Sequence, residues 1–264
     1  MNEQKPPNAI EWTRAYGRRG YTWNVTGGCH HGCAWEMSDG TVAECYAKTI
    51  AEKFQRPGFF EQGFEHHYYN PERLEEPKRL KEGAGIFADS MADLFGLWVP
   101  DDHVYAVLDV MRETPQHIYF TLTKNAPRLN KFADAYPPNL WLGVSMPPTF
   151  MWDKRLRADQ QLRMFERSLQ VLEGIRNDGL NNVLWLSLEP LSFDVSKSLD
   201  IFGACIDWLV IGAASNGPRY YQPDPAHVQG AHDAAELWEI PVFHKGNLKW
   251  PDVRREFPVT EEVS

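Results

Sequence analysis

Three cysteines fall within 17 positions of one another, in Thr26-Gly-Gly-Cys29-His-His-Gly-Cys33 and Cys45-Tyr-Ala47, while Cys205 stands alone far downstream. Three thiolates can hold three irons of a [4Fe–4S] cluster and leave the fourth iron open to an exogenous ligand. Gly27, Gly28 and Gly32 let the backbone wrap closely around a bulky inorganic core. Zinc is a second reading, with His30 or His31 completing a Cys₃His set, although residues so near Cys29 in sequence reach one metal awkwardly. Three unrelated buried thiols are the third. A secreted disulfide framework is usually denser and shorter than this pattern. Cys205, inside Ile201-Phe-Gly-Ala-Cys-Ile206, reads as a small buried hydrophobe.

Other reactive side chains follow short apolar runs. Asp89-Ser-Met-Ala-Asp93, Thr123-Lys124, Ser145, Ser187 with Glu189, Ser215-Asn-Gly-Pro218 and His244-Lys245 each close or follow such a run. The runs are Tyr21–Val25, Gly85–Asp89, Ile118–Thr123, Leu140–Ser145, Val183–Leu188, Trp208–Gly212 and Pro241–His244. Most are apolar almost throughout, as parallel strands covered on both faces require. Between them the sequence predicts helices over Ala43–Phe54, Asp101–Glu113, Ala126–Ala135, Asp159–Arg176 and Pro225–Trp238. In the second of these, Val104, Val107, Leu108 and Met111 form one apolar stripe. Strand–helix alternation implies right-handed β-α-β units, and some seven strands favour a partial or complete (β/α) barrel. Chemistry in such folds collects at the carboxyl ends of the strands, where these polar residues lie.

The remaining numbers narrow the class. The chain has 264 residues, 43% of them hydrophobic and 24% charged, which excludes disordered, collagen-like and coiled-coil readings. Without a repeat or Gly/Ser linker, one domain over 1–264 is expected, with a metal loop at 26–46 and a tail at 251–264. The longest apolar stretch, Trp208 to Ala214, is far too short for a membrane helix, and the first residues lack the apolar core of a signal peptide. A cytoplasmic location is therefore expected. A net charge of −9 argues against a dedicated nonspecific nucleic-acid binder, although a local basic groove survives it. Arg14, Arg18 and Arg19, and Lys154, Arg155 and Arg157, each with aromatics nearby, suit either nucleic-acid phosphates or an ordinary solvated face.

Taken in order, Ile10-Glu-Trp-Thr13, Trp23-Asn24, the Thr-Gly-Gly-Cys turn and Cys45-Tyr-Ala resemble a phage-type, radical-SAM-like family known by its three-cysteine motif. The resemblance continues through Asp89–Phe95, Val110–His117, Leu122–Leu129, Leu140–Ser145, Leu186–Leu191 and Ile206–Gly212, and covers roughly residues 10 to 250. It implies a barrel of the radical S-adenosylmethionine (SAM) type, with Cys29, Cys33 and Cys45 as cluster ligands. The activity it implies is formation of a 5′-deoxyadenosyl radical that abstracts a hydrogen from substrate, with nucleic acid or a nucleotide as one substrate class. An electron donor and a separately encoded partner protein belong to the same expectation. One departure stands out: eleven residues, Ala34 to Glu44, separate the second and third cysteines, where the superfamily has two. Met37-Ser-Asp-Gly40 reads as the turn of that excursion, and Tyr46 or Trp35 as the aromatic beside the cluster.

The resemblance also places Asp89, Ser90 and Met91 at the SAM amino group and Ser145 at its ribose or carboxylate. Asp93 either joins them or caps the next turn. Glu189 either binds ribose hydroxyls or pairs with Lys124, and these two are the candidate catalytic residues. Lys124 suits a carboxylate or phosphate, and the turn from Ser215 suits an anion or an adenine edge. His244 and Lys245 face substrate or form a solvated rim. Two other functions stay open: a non-catalytic zinc or iron–sulfur interaction protein, and a SAM-independent barrel using Asp89, Glu189 and Lys124 for acid–base work.

Overall fold

Seven runs that are apolar on both faces are the runs that pair. The computed structural model describes residues 1–6, 9–37, 39–57, 59–216 and 219–259. Its strands are β1 (Arg19–Trp23), β2 (Ala84–Ala88), β3 (Ile118–Thr123), β4 (Leu140–Ser145), β5 (Leu184–Leu188), β6 (Trp208–Ile211) and β7 (Val242–His244). They lie side by side in chain order and all parallel, in registers such as Tyr21 with Ile86, Thr121 with Leu142 and Val210 with Phe243. A two-residue strand, Asn2–Glu3, adds antiparallel to β1. The protein is thus mixed α/β with a mostly parallel central sheet.

Alternation along each strand sorts its residues between two cores. Ile86, Tyr119, Leu142, Leu186, Leu209 and Val242 face the helices. Phe87, Phe120, Trp141, Trp185, Trp208 and Phe243 point the other way and pack together around Trp12. The ring centroids of Phe120 on β3 and Trp208 on β6 are 6.2 Å apart. Three strand spacings in a flat sheet come to about 14 Å, so the sheet must curl around this aromatic core. Among the described residues the outermost strands do not pair with each other. The 3₁₀ segment Glu11–Gly17 and the chain after β7 lie between them, tied by Gly246 N–H to Glu11 Oε2 at 2.8 Å and by Tyr16 Oη to the Pro258 carbonyl.

The covering helices are α1 (Tyr46–Lys53), α2 (Asp101–Glu113), α3 (Ala158–Asn177), α4 (Ser196–Phe202) and α5 (Pro225–Leu237). Helix α2 begins with Asp101 and Asp102, whose charge suits the helix N-terminus, and buries the stripe read from sequence. Helix α5 starts at Pro225 after Asp224, whose side chain accepts from Ala226 N–H at 2.9 Å. Residues Ala126–Ala135 form 3₁₀ turns instead of the expected α-helix. Their buried residues, Ala126, Leu129 and Phe132, repeat every three positions, which stacks them on one edge of a three-fold helix. Helix α1 starts three residues later than expected because Val42–Glu44 is taken into a β-hairpin.

Gly143 on β4 shows how tightly the curl is packed. A Cβ there would lie 2.5 Å from Trp185 Cε2 and 2.7 Å from the Thr121 carbonyl oxygen. Gly143→Ala is expected to cost about 1–3 kcal/mol, read as a lowered urea midpoint at unchanged slope.

Candidate active site

The first cysteine is positioned by hydrogen bonds that lace together the ends of β1 and β2. Asn24 Oδ1 accepts from Ser90 Oγ and from Met91 N–H, both at 3.1 Å. Both oxygens of Asp89 are occupied by Thr26, one by its N–H at 3.0 Å and one by its hydroxyl at 2.7 Å. Gly28 follows at φ +87°, where any Cβ would sit 2.1 Å from the His66 carbonyl oxygen. The next residue, Cys29, donates its N–H to the Phe64 carbonyl at 2.9 Å.

The eleven residues after Cys33 form a hairpin, Ala34–Glu36 against Val42–Glu44. Its base is the bond from Cys45 N–H to the Cys33 carbonyl at 3.1 Å, so the excursion returns the third cysteine beside the second. Its tip holds Gly40 N–H on the Met37 carbonyl at 2.9 Å, as the turn reading expects, with Ser38 outside the described residues. A second hairpin, Phe150–Met151 with Lys154–Arg155, extends this small sheet through Phe150 opposite Ala34.

Cys29, Cys33 and Cys45 then line one cavity of about 320 Å³ at the carboxyl ends of the strands. Ser90, Lys124, Ser145, Glu189 and Ser215 share its wall. Asp89 and Met91 are not part of that wall: Asp89 is 3% exposed with each oxygen accepting from Thr26, and Met91 packs among Ala47, Phe60 and Phe64. Burial lifts the Asp89 carboxyl to about 7, against the pull of the Thr26 bonds. Gly217 and Pro218 of the expected turn lie outside the described residues, as do residues 260–264 of the tail.

Asp93 caps the turn, and its second oxygen gathers three further partners. Its Oδ1 accepts from Phe95 N–H at 3.0 Å, as a turn cap does. Its Oδ2 faces Thr123 Oγ1 at 3.0 Å, Lys124 N–H at 2.9 Å and His31 Nε2 at 2.8 Å. Burial opposes this charge, but the bonds from His31, Lys124 and Thr123 prevail and hold the carboxyl below its usual range. Burial likewise disfavours the Lys124 ammonium, yet Cys33, Cys45 and Asp93 outweigh it and the pKa rises. The Lys124 Nζ lies 5.7 Å from the centre of the Trp35 ring. Burial pushes the Cys33 thiol up to about 12 and the Cys29 thiol up as well, with Lys124 opposing at Cys33 and the His31 backbone amide opposing at Cys29.

Glu189 pairs with Lys245, not Lys124: Oε2 lies 2.8 Å from Lys245 Nζ. Its Oε1 is buried and without a partner. Lys245 is therefore a wall residue, whereas His244 is wholly buried on the opposite side of β7, 2.9 Å from His232 Nε2 on α5. Neither substrate nor solvent reaches His244, because successive strand residues face opposite ways. Burial first, then His232, Arg254 and Arg255, depress its pKa to about 4 from 6.5. The unfolded chain thus takes up this proton first as pH falls, so stability should be complete above pH 6.5 and decline towards pH 4. Urea midpoints across that range check this, and His244→Gln should flatten the slope.

Asn247 was not foreseen. It clamps Ala213 by accepting from its N–H at 3.1 Å and donating to its carbonyl at 2.8 Å, fixing the loop after β6 at the cavity wall. The only hint in the sequence is its place just after the last strand. The basic groups lie elsewhere. Arg19 pairs with Glu3 at 2.9 Å, Arg155 with Glu36 and Arg157 with Asp159 at 3.0 Å, and among the described residues none of the six basic side chains enters the wall. Also among the described residues, no three His, Cys, Asp or Glu side chains are grouped to hold a single metal ion.

The family model described as "Protein of unknown function (DUF5131)" matches residues 7–258. The chain belongs to this family. No curated protein matches it. The DUF5131 chain is similar in structure to a Cys-to-Ser mutant of spore photoproduct lyase, at TM-score 0.50 and 10% identity over 88% of this chain and 78% of that one. A double mutant of the lyase "with bound AdoMet and dinucleoside spore photoproduct" gives TM-score 0.45 at 9% identity over 84% of this chain. The DUF5131 chain spans 62% of that protein's length. An F420-dependent secondary alcohol dehydrogenase gives 0.37 at 12% identity, over 67% of this chain and 64% of that one. Likeness at these identities establishes the fold alone. No helix among the described residues is long and apolar enough to cross a membrane.

Proposed function

We propose that this DUF5131 protein is a radical-SAM enzyme on a partial (β/α) barrel, holding a [4Fe–4S] cluster on Cys29, Cys33 and Cys45 and SAM in the cavity beside them. One observation carries the reading. Among the described residues six buried side-chain polar atoms lack a partner, and four of them belong to the wall that holds the three thiols: Trp12 Nε1, His31 Nδ1, Trp35 Nε1 and Glu189 Oε1. Buried polar groups are ordinarily satisfied, so such a concentration fits a polar ligand. The curled parallel sheet, shared with spore photoproduct lyase, puts the cavity where ligands bind in these folds.

The donor set suits the two groups. Each iron asks for one thiolate, so the thiols need not meet at a point as they must around zinc. Buried neutral thiols also lose their protons readily once metal cations arrive. Cluster and SAM, when bound, supply one-electron chemistry that removes a hydrogen atom from substrate. The chain itself does the rest. Lys124 offsets the negative charge of the thiolates and gives SAM carboxylate a cation, Ser145 and Glu189 offer hydrogen bonds to its ribose, and Trp12, Trp35 and Phe87 exclude water from the wall.

Anaerobically reconstituted, reduced protein should give a [4Fe–4S] electron paramagnetic resonance signal that changes when SAM is added. A cluster signal indifferent to SAM, or zinc bound in place of iron, would favour the non-catalytic interaction protein and overturn this reading.

A further inference from the structure

We propose that His31, oriented by Asp93, accepts a hydrogen bond from the amino group of bound SAM; this rests on the radical-SAM reading above. The amino group needs an acceptor, and in the segment expected to provide one Asp89 and Met91 lie outside the cavity wall. Both Asp89 oxygens already accept from Thr26, and the Ser90 carbonyl already accepts from Tyr46 Oη at 2.5 Å. His31 lies between Cys29 and Cys33, beside the thiols that the amino group must approach. Its side chain is 5% exposed, its ring centroid is 4.9 Å from that of Trp98, and the residue forms part of the cavity wall.

Tautomer logic selects the atom. Asp93 Oδ2, besides facing His31 Nε2, accepts from Thr123 and Lys124. An ionised carboxylate only accepts, so Nε2 carries the proton and donates. With Nε2 held by Asp93, Nδ1 is the ring atom left to meet a ligand, and it is buried and without a partner. A buried polar atom of that kind is costly to leave unmatched, and an amine N–H satisfies it. Asp93 acts through His31 and is a positioning residue, fixing both ring orientation and tautomer.

The test measures SAM affinity of cluster-loaded protein by anaerobic equilibrium dialysis, with iron content determined on each sample. His31→Phe should keep its iron and bind SAM about 10–100-fold more weakly, the range for a hydrogen bond to a charged or metal-bound group. If that variant fails to fold or to load iron, His31→Leu takes its place with the same expectation. His31→Asn, whose amide oxygen can occupy the Nδ1 position, should recover part of the loss. Unchanged affinity in the iron-loaded Phe or Leu variant would overturn the assignment to His31 while leaving the function intact. A wild-type protein that loads its cluster yet binds no SAM would overturn both.

Discussion

The protein carrying Cys29→Ser, Cys33→Ser and Cys45→Ser together is expected to take up no iron–sulfur cluster, while Cys205→Ser loads as much as wild type. Serine is a far weaker ligand for iron than thiolate, and losing three ligands at once leaves the wall without a thiolate to hold the cluster. Cys205 is 4% exposed beneath the helices, with Sγ 3.1 Å from the Phe202 carbonyl, and does not line the cavity. The triple variant should still fold, because the two cores that hold the sheet are built from other side chains. Iron and sulfide analysis after anaerobic reconstitution, with far-UV circular dichroism as control, reads the result. Stoichiometric cluster in the triple variant would mean that the thiols are merely buried. Single variants separate the ligands further, and each should lower iron content.

How far this site was legible depends on whether its cause was local. Strands β3 and β4 begin and end where the apolar runs do, because parallel strands buried on both faces leave an unbroken signal. The three cysteines likewise announce themselves by spacing. The hairpin between Cys33 and Cys45 does not, since Ala34-Trp-Glu36 is short and its second neighbour, Phe150, lies over a hundred residues away. The His31–Asp93 bond is equally silent, spanning 62 positions. The division between His244 and Lys245 was legible in principle. Phe243 and Lys245 share the inner face by simple alternation, which sends His244 out to α5.

Lys245→Met should destabilise the protein by about 3 kcal/mol, and adding Glu189→Leu should recover most of that loss. Glu189 and Lys245 keep 15% and 24% of their side-chain surface exposed, so both charges are largely desolvated. Burial alone would lower the Lys245 pKa, but Glu189 raises it. Removing the lysine leaves a carboxylate with one oxygen already unpartnered and the other newly so. Removing both leaves an apolar wall of similar volume, which is often neutral. Urea midpoints of wild type, both single variants and the double variant close the cycle. On the function proposed above, the double variant should nonetheless bind SAM more weakly, since Glu189, with its unpartnered Oε1, is the residue proposed to bond the ribose. Stability recovered while SAM affinity stays low would separate the two duties of this pair. Were Lys245→Met to cost nothing, Glu189 would have to be solvated or protonated in the folded protein. Its free oxygen would then be no acceptor held ready for a ligand.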